Sequence, residues 1–175
     1  MRIILVSGVY GARRGIGFEG KLPWPKHLED MRHFAKLTAG KVVIMGSTTW
    51  RSIKNGLPGR KCIVLTSDPN TLEGDAYAVT SMEDALSYAR DSCGAKEVYV
   101  VGGESVYKQF LPLADEIVLS KIPPVDGSTN PKFDTFFPYI DRVEWEVVVT
   151  ERKPSIQPGF TSYLLIENWE KITDV

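Results

Sequence analysis

A chain of 175 residues is about the length of one domain, and a domain of that size hides roughly 70% of the surface its unfolded chain exposes. Hydrophobic content of 43% and charged content of 25% are ordinary globular values and exclude disordered, collagen-like and disulfide-dense classes. Lys plus Arg number 21 against 22 for Asp plus Glu, a net charge of -1, so no broad cationic field exists to hold nucleic acid or anionic lipid.

Apolar, β-branched runs recur at 3–7, 41–45, 61–66, 76–79, 97–101 and 116–122, mostly separated by stretches with helical spacing. Each reads as a strand, and the alternation implies βα units on a largely parallel sheet. A first helix is predicted to start near Lys26, with Leu28, Met31, Phe34 and Leu37 recurring every three residues as a stripe facing the sheet. A second has Ser81 as N-cap, Asp84 at the capping-box position, and Met82, Ala85, Leu86 and Ala89 at i, i+3, i+4 and i+7. A third opens after Gly102-Gly103, carries Val106, Tyr107 and Phe110, and is limited by Pro112.

The last third changes character. Pro123-Pro124 and 126–131 form a turn-rich loop, and the runs 143–152 and 160–168 bracket a Pro- and Gly-containing loop at 153–159, which predicts an antiparallel hairpin. Joined to a parallel sheet, the hairpin makes a mixed one. The expected fold is α/β: a single domain over 1–175 with a mixed, mostly parallel eight-stranded sheet, about four flanking helices and a C-terminal antiparallel hairpin. Apolar runs such as 3–6 and 42–45 are far shorter than the ~20 residues of a membrane helix, and the first residues do not read as a signal peptide. Cys62 and Cys93 then read as reduced thiols of a cytoplasmic protein.

Candidate chemistry begins with a false lead. Residues 15–20, Gly-Ile-Gly-Phe-Glu-Gly, match the dinucleotide fingerprint G-x-G-x-x-G, but Lys21-Leu22-Pro23-Trp24-Pro25 follows, and two prolines block a helix where the fingerprint needs one. A flexible glycine loop is the better reading. Two other junctions have the right context: Val42-Val-Ile-Met-Gly46 before Ser47-Thr-Thr-Trp50, and Val98-Tyr-Val-Val-Gly102-Gly103 before Glu104-Ser-Val-Tyr107. Each runs strand, glycine, helix, and the free N–H groups of a helix start can seat a phosphate; tight βα turns would leave the same pattern. Asp30 lies between the apolar Met31 and Phe34, where a carboxylate needs a partner and burial raises its pKa, although Glu29-Asp30 also suits an exposed acidic first turn. His27 and His33 read as surface helix residues, no Cys or His cluster has metal spacing, and no G-x-S-x-G elbow is present.

Taken together, these segments resemble the dihydrofolate reductase family over residues 3–167. The resemblance rests on Gly15-Ile-Gly17 followed by Leu22-Pro-Trp24, an acid six residues after that Trp with Phe34 four further on, and Val43-Ile-Met-Gly46 with Thr49-Trp50. Leu57-Pro-Gly-Arg-Lys61, Val101-Gly-Gly103 with Tyr107, and Asp134-Thr-Phe-Phe-Pro138 complete it in order. It implies that Asp30, not its neighbour Glu29, grips the pterin's N3 and 2-amino donors and helps raise the basicity of N5. Trp24 would order a water beside that carboxylate, and Ser120, where the family commonly has Thr, offers a hydroxyl to the same network. Leu22, Phe34, Ile53 and Leu57 would sandwich the pterin and benzoyl rings, with Ser7 and Val101 also on the substrate side. Arg60 would pair with the glutamate tail of dihydrofolate in bidentate geometry.

The implied cofactor is NADPH. The resemblance assigns to it Gly17 and Thr135 on the loop side, Gly46, Ser47, Thr48 and Thr49 after one strand, Thr66 and Ser67 after the next, and Gly102, Gly103, Ser105, Val106 and Tyr107 at the third junction. Gly102-Gly103 resembles the family's cis Gly-Gly bond, and the loop 11–22 would close over the nicotinamide and exclude water. The chain departs from the family where Ser47 and Thr48 replace the usual Arg or Lys that clasps the 2'-phosphate, and where Asp68 follows Thr66-Ser67. Ser7-Gly8 also stands where small apolar residues are common, which predicts a wetter pocket edge. The expected partners are dihydrofolate and antifolate inhibitors, without nucleic acid, membrane or metal, on a monomer. A pteridine or pyrimidine reductase on the same scaffold is the alternative enzyme, and Arg60 argues against it because such substrates lack the glutamate tail. A non-catalytic relative keeping only the fold is the alternative from another class.

Overall fold

The computed structural model describes residues 1–53, 56–127, 131–155, 157–160 and 162–173. In chain order the elements are β1 (Arg2–Tyr10), β2 (Gly15–Gly17), α1 (Leu28–Thr38), β3 (Val42–Gly46), α2 (Ser47–Ser52), β4 (Lys61–Leu65), β5 (Tyr77–Val79), α3 (Met82–Ser87), β6 (Glu97–Val100), α4 (Glu104–Phe110), β7 (Glu116–Ile122), β8 (Thr135–Phe136), β9 (Trp145–Lys153) and β10 (Leu164–Lys171). Eight strands form the main path of the sheet in the order β5-β4-β3-β6-β1-β7-β10-β9. The first six of that order pair in parallel, and β10 returns antiparallel to both β7 and β9. This is the mixed, mostly parallel sheet with a C-terminal hairpin that the runs of β-branched residues predict. Two short strands were not foreseen: β2 pairs with Tyr10 of β1 and with β8, fastening the early glycine loop to residues 135–136.

The central strands bury both faces, so β1, β3 and β6 read as continuous apolar runs. Alternation along β1 divides its side chains between two cores. Ile3, Leu5 and Val9 join Ala85 of α3 and Val106, Tyr107 and Phe110 of α4. Ile4 and Val6 join Trp24, Trp50 and the α1 side chains Phe34 and Leu37.

The predicted stripe on α1 needs correction. Leu28 and Met31 are 49% and 46% exposed, while Phe34 and Leu37 pack on the sheet. At 3.6 residues per turn each three-residue step falls about 60° short of a full turn, so Leu28 and Leu37 end up on opposite sides of the helix. The face that meets the sheet follows Asp30, Phe34 and Leu37 instead, which turns Asp30 inward. Leu28, not Lys26, is the first helical residue. In α3, Ser81 Oγ accepts from Asp84 N as expected, but beyond Ser87 the coil widens into a π turn over Tyr88–Ser92. The C-terminal strands lie a few residues later than predicted, and of the two predicted loops Ser128, Thr129, Asn130 and Ile156, with Thr161 of the predicted strand, lie outside the described residues.

Candidate active site

Asp30 sits on the third residue of α1, facing the middle of the sheet across β1 and β7. Gly8 and Ser120 are directly paired between those strands. A Cβ built on Gly8 would lie 3.3 Å from Asp30 Oδ2 and 3.4 Å from Trp24 Cζ2, so the missing side chain makes the room for the carboxylate. Burial pushes the Asp30 carboxyl above the usual carboxylate range, and a hydrogen bond from the Ser120 hydroxyl pulls it part of the way back. Trp24 is buried and stacks at 6.2 Å on Tyr10, with Phe133 tilted against both. Asp30, Trp24 and Ser120 are therefore brought together, and Glu29 turns away to pair with Arg32 at 2.5 Å.

Ser7 lies elsewhere. It projects from the other face of β1, on the side of Tyr107, and its Oγ donates to the Gly8 carbonyl at 2.9 Å. The strand alternation puts Gly8, not Ser7, against the carboxylate, so the pocket edge there is backbone and aromatic ring and not a wet hydroxyl. Leu22 stands 63% exposed at the mouth, while Phe34, Ile53, Leu57 and Val101 are half-buried against the Trp24 and Trp50 core. Arg60 is held rigidly: Nε donates to Thr38 Oγ1 at 3.2 Å and the two terminal nitrogens donate to the carbonyls of Ala35 and Pro58, each at 2.7 Å. Thr38, fully buried and donating to the Phe34 carbonyl at 2.9 Å, ties that arginine to the helix carrying Asp30. Thr38 escaped the sequence reading. Its spacing of four residues from Phe34 was the available signal.

The two strand-glycine-helix junctions lie side by side because β3 and β6 are neighbouring parallel strands. Gly46 N donates to Gly102 O at 2.8 Å, and Gly102-Gly103 is a cis peptide. Gly46 approaches Val106 so closely that a Cβ would meet its Cγ2 at 3.2 Å, Gly103 faces Thr49 Oγ1, and Gly102, at φ 115, would press a Cβ to 3.3 Å from the Tyr107 hydroxyl. Tyr107 is fixed by its own donation to the Val6 carbonyl at 2.7 Å. This crevice at the carboxyl ends of adjacent strands is where open α/β sheets take nucleotides, and it is walled by backbone that added side chains would fill. Ser47 is half-buried and Thr48 and Ser105 exposed on the first turns of α2 and α4. Ser67 is exposed beyond β4, and Thr66 Oγ1 accepts from Asp68 N at 3.2 Å. Asp68 spends its carboxylate on capping Asn70 N at 3.2 Å.

On the loop side, Gly17 is in contact with Thr135, whose Oγ1 is 2.5 Å from where a Gly17 Cβ would be. Asp134 N donates to Gly17 O at 3.0 Å and its Oδ2 accepts from Glu19 N at 2.8 Å. The early glycines thus form a strand edge and no strand-to-helix turn, in keeping with setting the dinucleotide fingerprint aside. A Cβ on Gly15 would fall 2.1 Å from the Phe133 ring. Gly15→Ala is expected to force that ring aside and lower the melting temperature by about 2–10 °C, from about 1–3 kcal/mol of overpacking. An unchanged thermal melt would show that Phe133 has room to move.

His27 and His33 also need correction. His27 is 2% exposed and caps α1, and His33 is half-buried with its Nε2 enclosed. Burial lowers the pKa of both, opposed at His27 by Glu29 and reinforced at His33 by Lys153 and Lys36 against Glu151.

The family model for dihydrofolate reductase matches residues 3–164. The chain belongs to the dihydrofolate reductase family. It is 37% identical over 171 residues to the dihydrofolate reductase HdrB of Haloferax volcanii, covering 93% of this chain and 83% of that one. The dihydrofolate reductase of Bacillus subtilis is 38% identical over 162 residues, 89% of each chain. A solved structure of the Enterococcus faecalis dihydrofolate reductase, complexed with NADP(H) and RAB-propyl, superposes with a TM-score of 0.83 at 28% identity over 98% of this chain and 97% of that one. Among the described residues, no helix is long and apolar enough to cross a membrane.

Proposed function

We propose that this protein converts 7,8-dihydrofolate to tetrahydrofolate with NADPH, delivering hydride to pterin C6 and a proton to N5. The observation that carries this reading is the enclosed Asp30 carboxyl between Gly8, Trp24 and Ser120. Its two oxygens suit the adjacent N3–H and 2-amino donors of the pterin as a charge-assisted fork, and Ser120 and Trp24 hold the polar contacts through which a proton reaches N5. Donation from the pterin favours the carboxylate form, so substrate binding draws Asp30 down from its raised value.

Phe34, Ile53 and Leu57 would flank the pterin and benzoyl rings, with Leu22 folding over the mouth. Arg60 has five N–H groups and three are engaged by Thr38, Ala35 and Pro58, which leaves two for a carboxylate of the glutamate tail. The residues present fit a dinucleotide: the side-chain-free backbone at Gly46, Gly102 and Gly103 gives it room, Ser47, Thr48, Thr49, Ser105 and Val106 offer helix-start amides and hydroxyls, and Thr66 and Ser67 stand beyond the adjacent strand. Gly17, Thr135 and Tyr107 would border the nicotinamide. When bound, NADPH supplies the hydride. The chain's part is to hold the two rings in reacting order, keep water out and place the proton.

An oxidation assay with dihydrofolate, run with NADPH and NADH in parallel, tests the proposal. NADPH is expected to support turnover, with a preference about ten- to a hundredfold narrower than an enzyme with a cation at Ser47 would show, the worth of one charged hydrogen bond. Absence of dihydrofolate-dependent oxidation with either dinucleotide would defeat it.

A further inference from the structure

The amide of Asp30 donates to Nδ1 of His27 at 3.3 Å, and the imidazole forms the N-cap of α1. An amide can only donate, so Nδ1 carries no proton, and the ring is the neutral tautomer with its proton on Nε2. That nitrogen lies 2.9 Å from Ser155 Oγ, in the loop joining β9 to β10, and Phe160 packs edge-on against the ring at 4.7 Å. Gln157 from the same loop accepts from Leu28 N at 2.8 Å and donates to the Lys26 carbonyl. The start of the helix is therefore capped by a residue that a distant hairpin holds in place.

In the usual capping box an acid on the third helical residue reaches back to the cap amide. Asp30 occupies that position, yet its carboxyl points the other way, toward Gly8 and Ser120. The groups facing the imidazole are the Asp30 amide and the Glu29 carboxylate from α1, and the Ser155 hydroxyl and Phe160 ring from the hairpin. The groups facing the Asp30 carboxyl are Ser120, Trp24 and, across the sheet, Tyr107.

We infer that His27 is a positioning residue for Asp30: its neutral ring, clamped by Ser155 and Phe160, fixes the first turn of α1 and so keeps the carboxyl in its enclosed position. The inference rests on Asp30 being the proton-handling carboxyl. Its test reads Asp30 directly, through the carbon-13 shift of its carboxyl across a pH titration of the full chain, with KM and kcat for dihydrofolate measured beside it. In His27→Ala the freed turn admits water, so the Asp30 midpoint is expected to fall toward the ordinary carboxylate range and kcat/KM to drop about fivefold, the factor for losing a helix cap. His27→Asn, whose amide oxygen can accept from the same backbone N–H, is expected to restore most of both.

An unchanged midpoint in His27→Ala, or an Asn variant no better than Ala, overturns the inference. Should the Ala variant not fold, Ser155→Ala removes only the far contact. A smaller downward shift of the Asp30 midpoint is then expected, and no shift overturns the inference. Retained activity in Asp30→Asn would defeat the catalytic reading alone, because the titration judges His27 whether or not the carboxyl takes part in turnover.

Discussion

Asp30→Asn is expected to lower turnover by about 10²- to 10⁴-fold at neutral pH, the range for removing a positioned proton-handling group. The amide is nearly the same size, so the pocket of Gly8, Trp24 and Ser120 stays filled. What changes is chemistry: an amide offers one acceptor where the pterin presents two donors, and its NH2 opposes one of them. The residual rate should climb as pH falls, because the proton must then come from solution. Near-normal turnover at neutral pH would remove Asp30 from the mechanism.

The same substitution is expected to stabilise the fold. Burial raises the Asp30 pKa in the folded chain, so between the ordinary carboxylate value, about 3.9, and that raised value the folded state binds more protons than the unfolded one. Stability from this group is present below the ordinary value and is lost as pH rises through the folded one. Asn has no such loss. Its melting temperature should exceed wild type at pH 7 and the two should converge toward pH 4; a wild type more stable at pH 7 would contradict the burial argument. A site that holds an ionisable group out of water gives up stability for function in this way.

Arg60→Leu is expected to raise KM for dihydrofolate by about ten- to a hundredfold with little change in kcat, since charged hydrogen bonds are worth about 1.5–3 kcal/mol and the tail contact is the same in ground and transition states. Lys should rescue poorly, because a point charge cannot reproduce the planar fork. Arg60 also secures the carbonyls of Ala35 and Pro58, so a structural effect must be separated from a binding one. A pterin without the glutamate tail makes that separation: its KM should be unmoved. Equal losses for both substrates would make Arg60 a brace and not a tail contact.

The elements were legible because their signals are local, whereas the residues around Asp30 alone suited an exposed acidic turn equally well and only the family resemblance singled it out. β-branched runs mark β1, β3, β4, β6 and β7, a serine cap marks α3, and glycines followed by a helix pattern mark the junctions at Gly46 and Gly102. The features that escaped depend on partners far along the chain. His27 looks like any surface histidine until a loop 128 residues away closes on it, and Thr38 matters only because Arg60 reaches back to it. Of the Ser7-Gly8 pair, the strand turns Gly8 to Asp30 and the Ser7 side chain to the opposite face, a division that composition alone does not show. The α1 stripe failed for a geometric reason, since a strict three-residue spacing rotates away from any single face. β2 and β8 are too short for a period to show and are defined by their pairing, β8 with β2 and β2 with both β8 and β1.

The position of β1 in the sheet has a consequence for synthesis on the ribosome. Its run from Ile3 to Val6 is among the most apolar in the chain, and apart from Tyr10, which pairs with Gly15, the strand pairs with β6 and β7, whose registers begin at Glu97 and Glu116. At about 5–20 residues per second the nascent strand waits roughly 5–20 s before either neighbour emerges. Through that interval its run of Ile, Leu and Val has no native strand beside it, which makes β1 the natural target for a holding chaperone and the place where crowding of unfinished chains would begin.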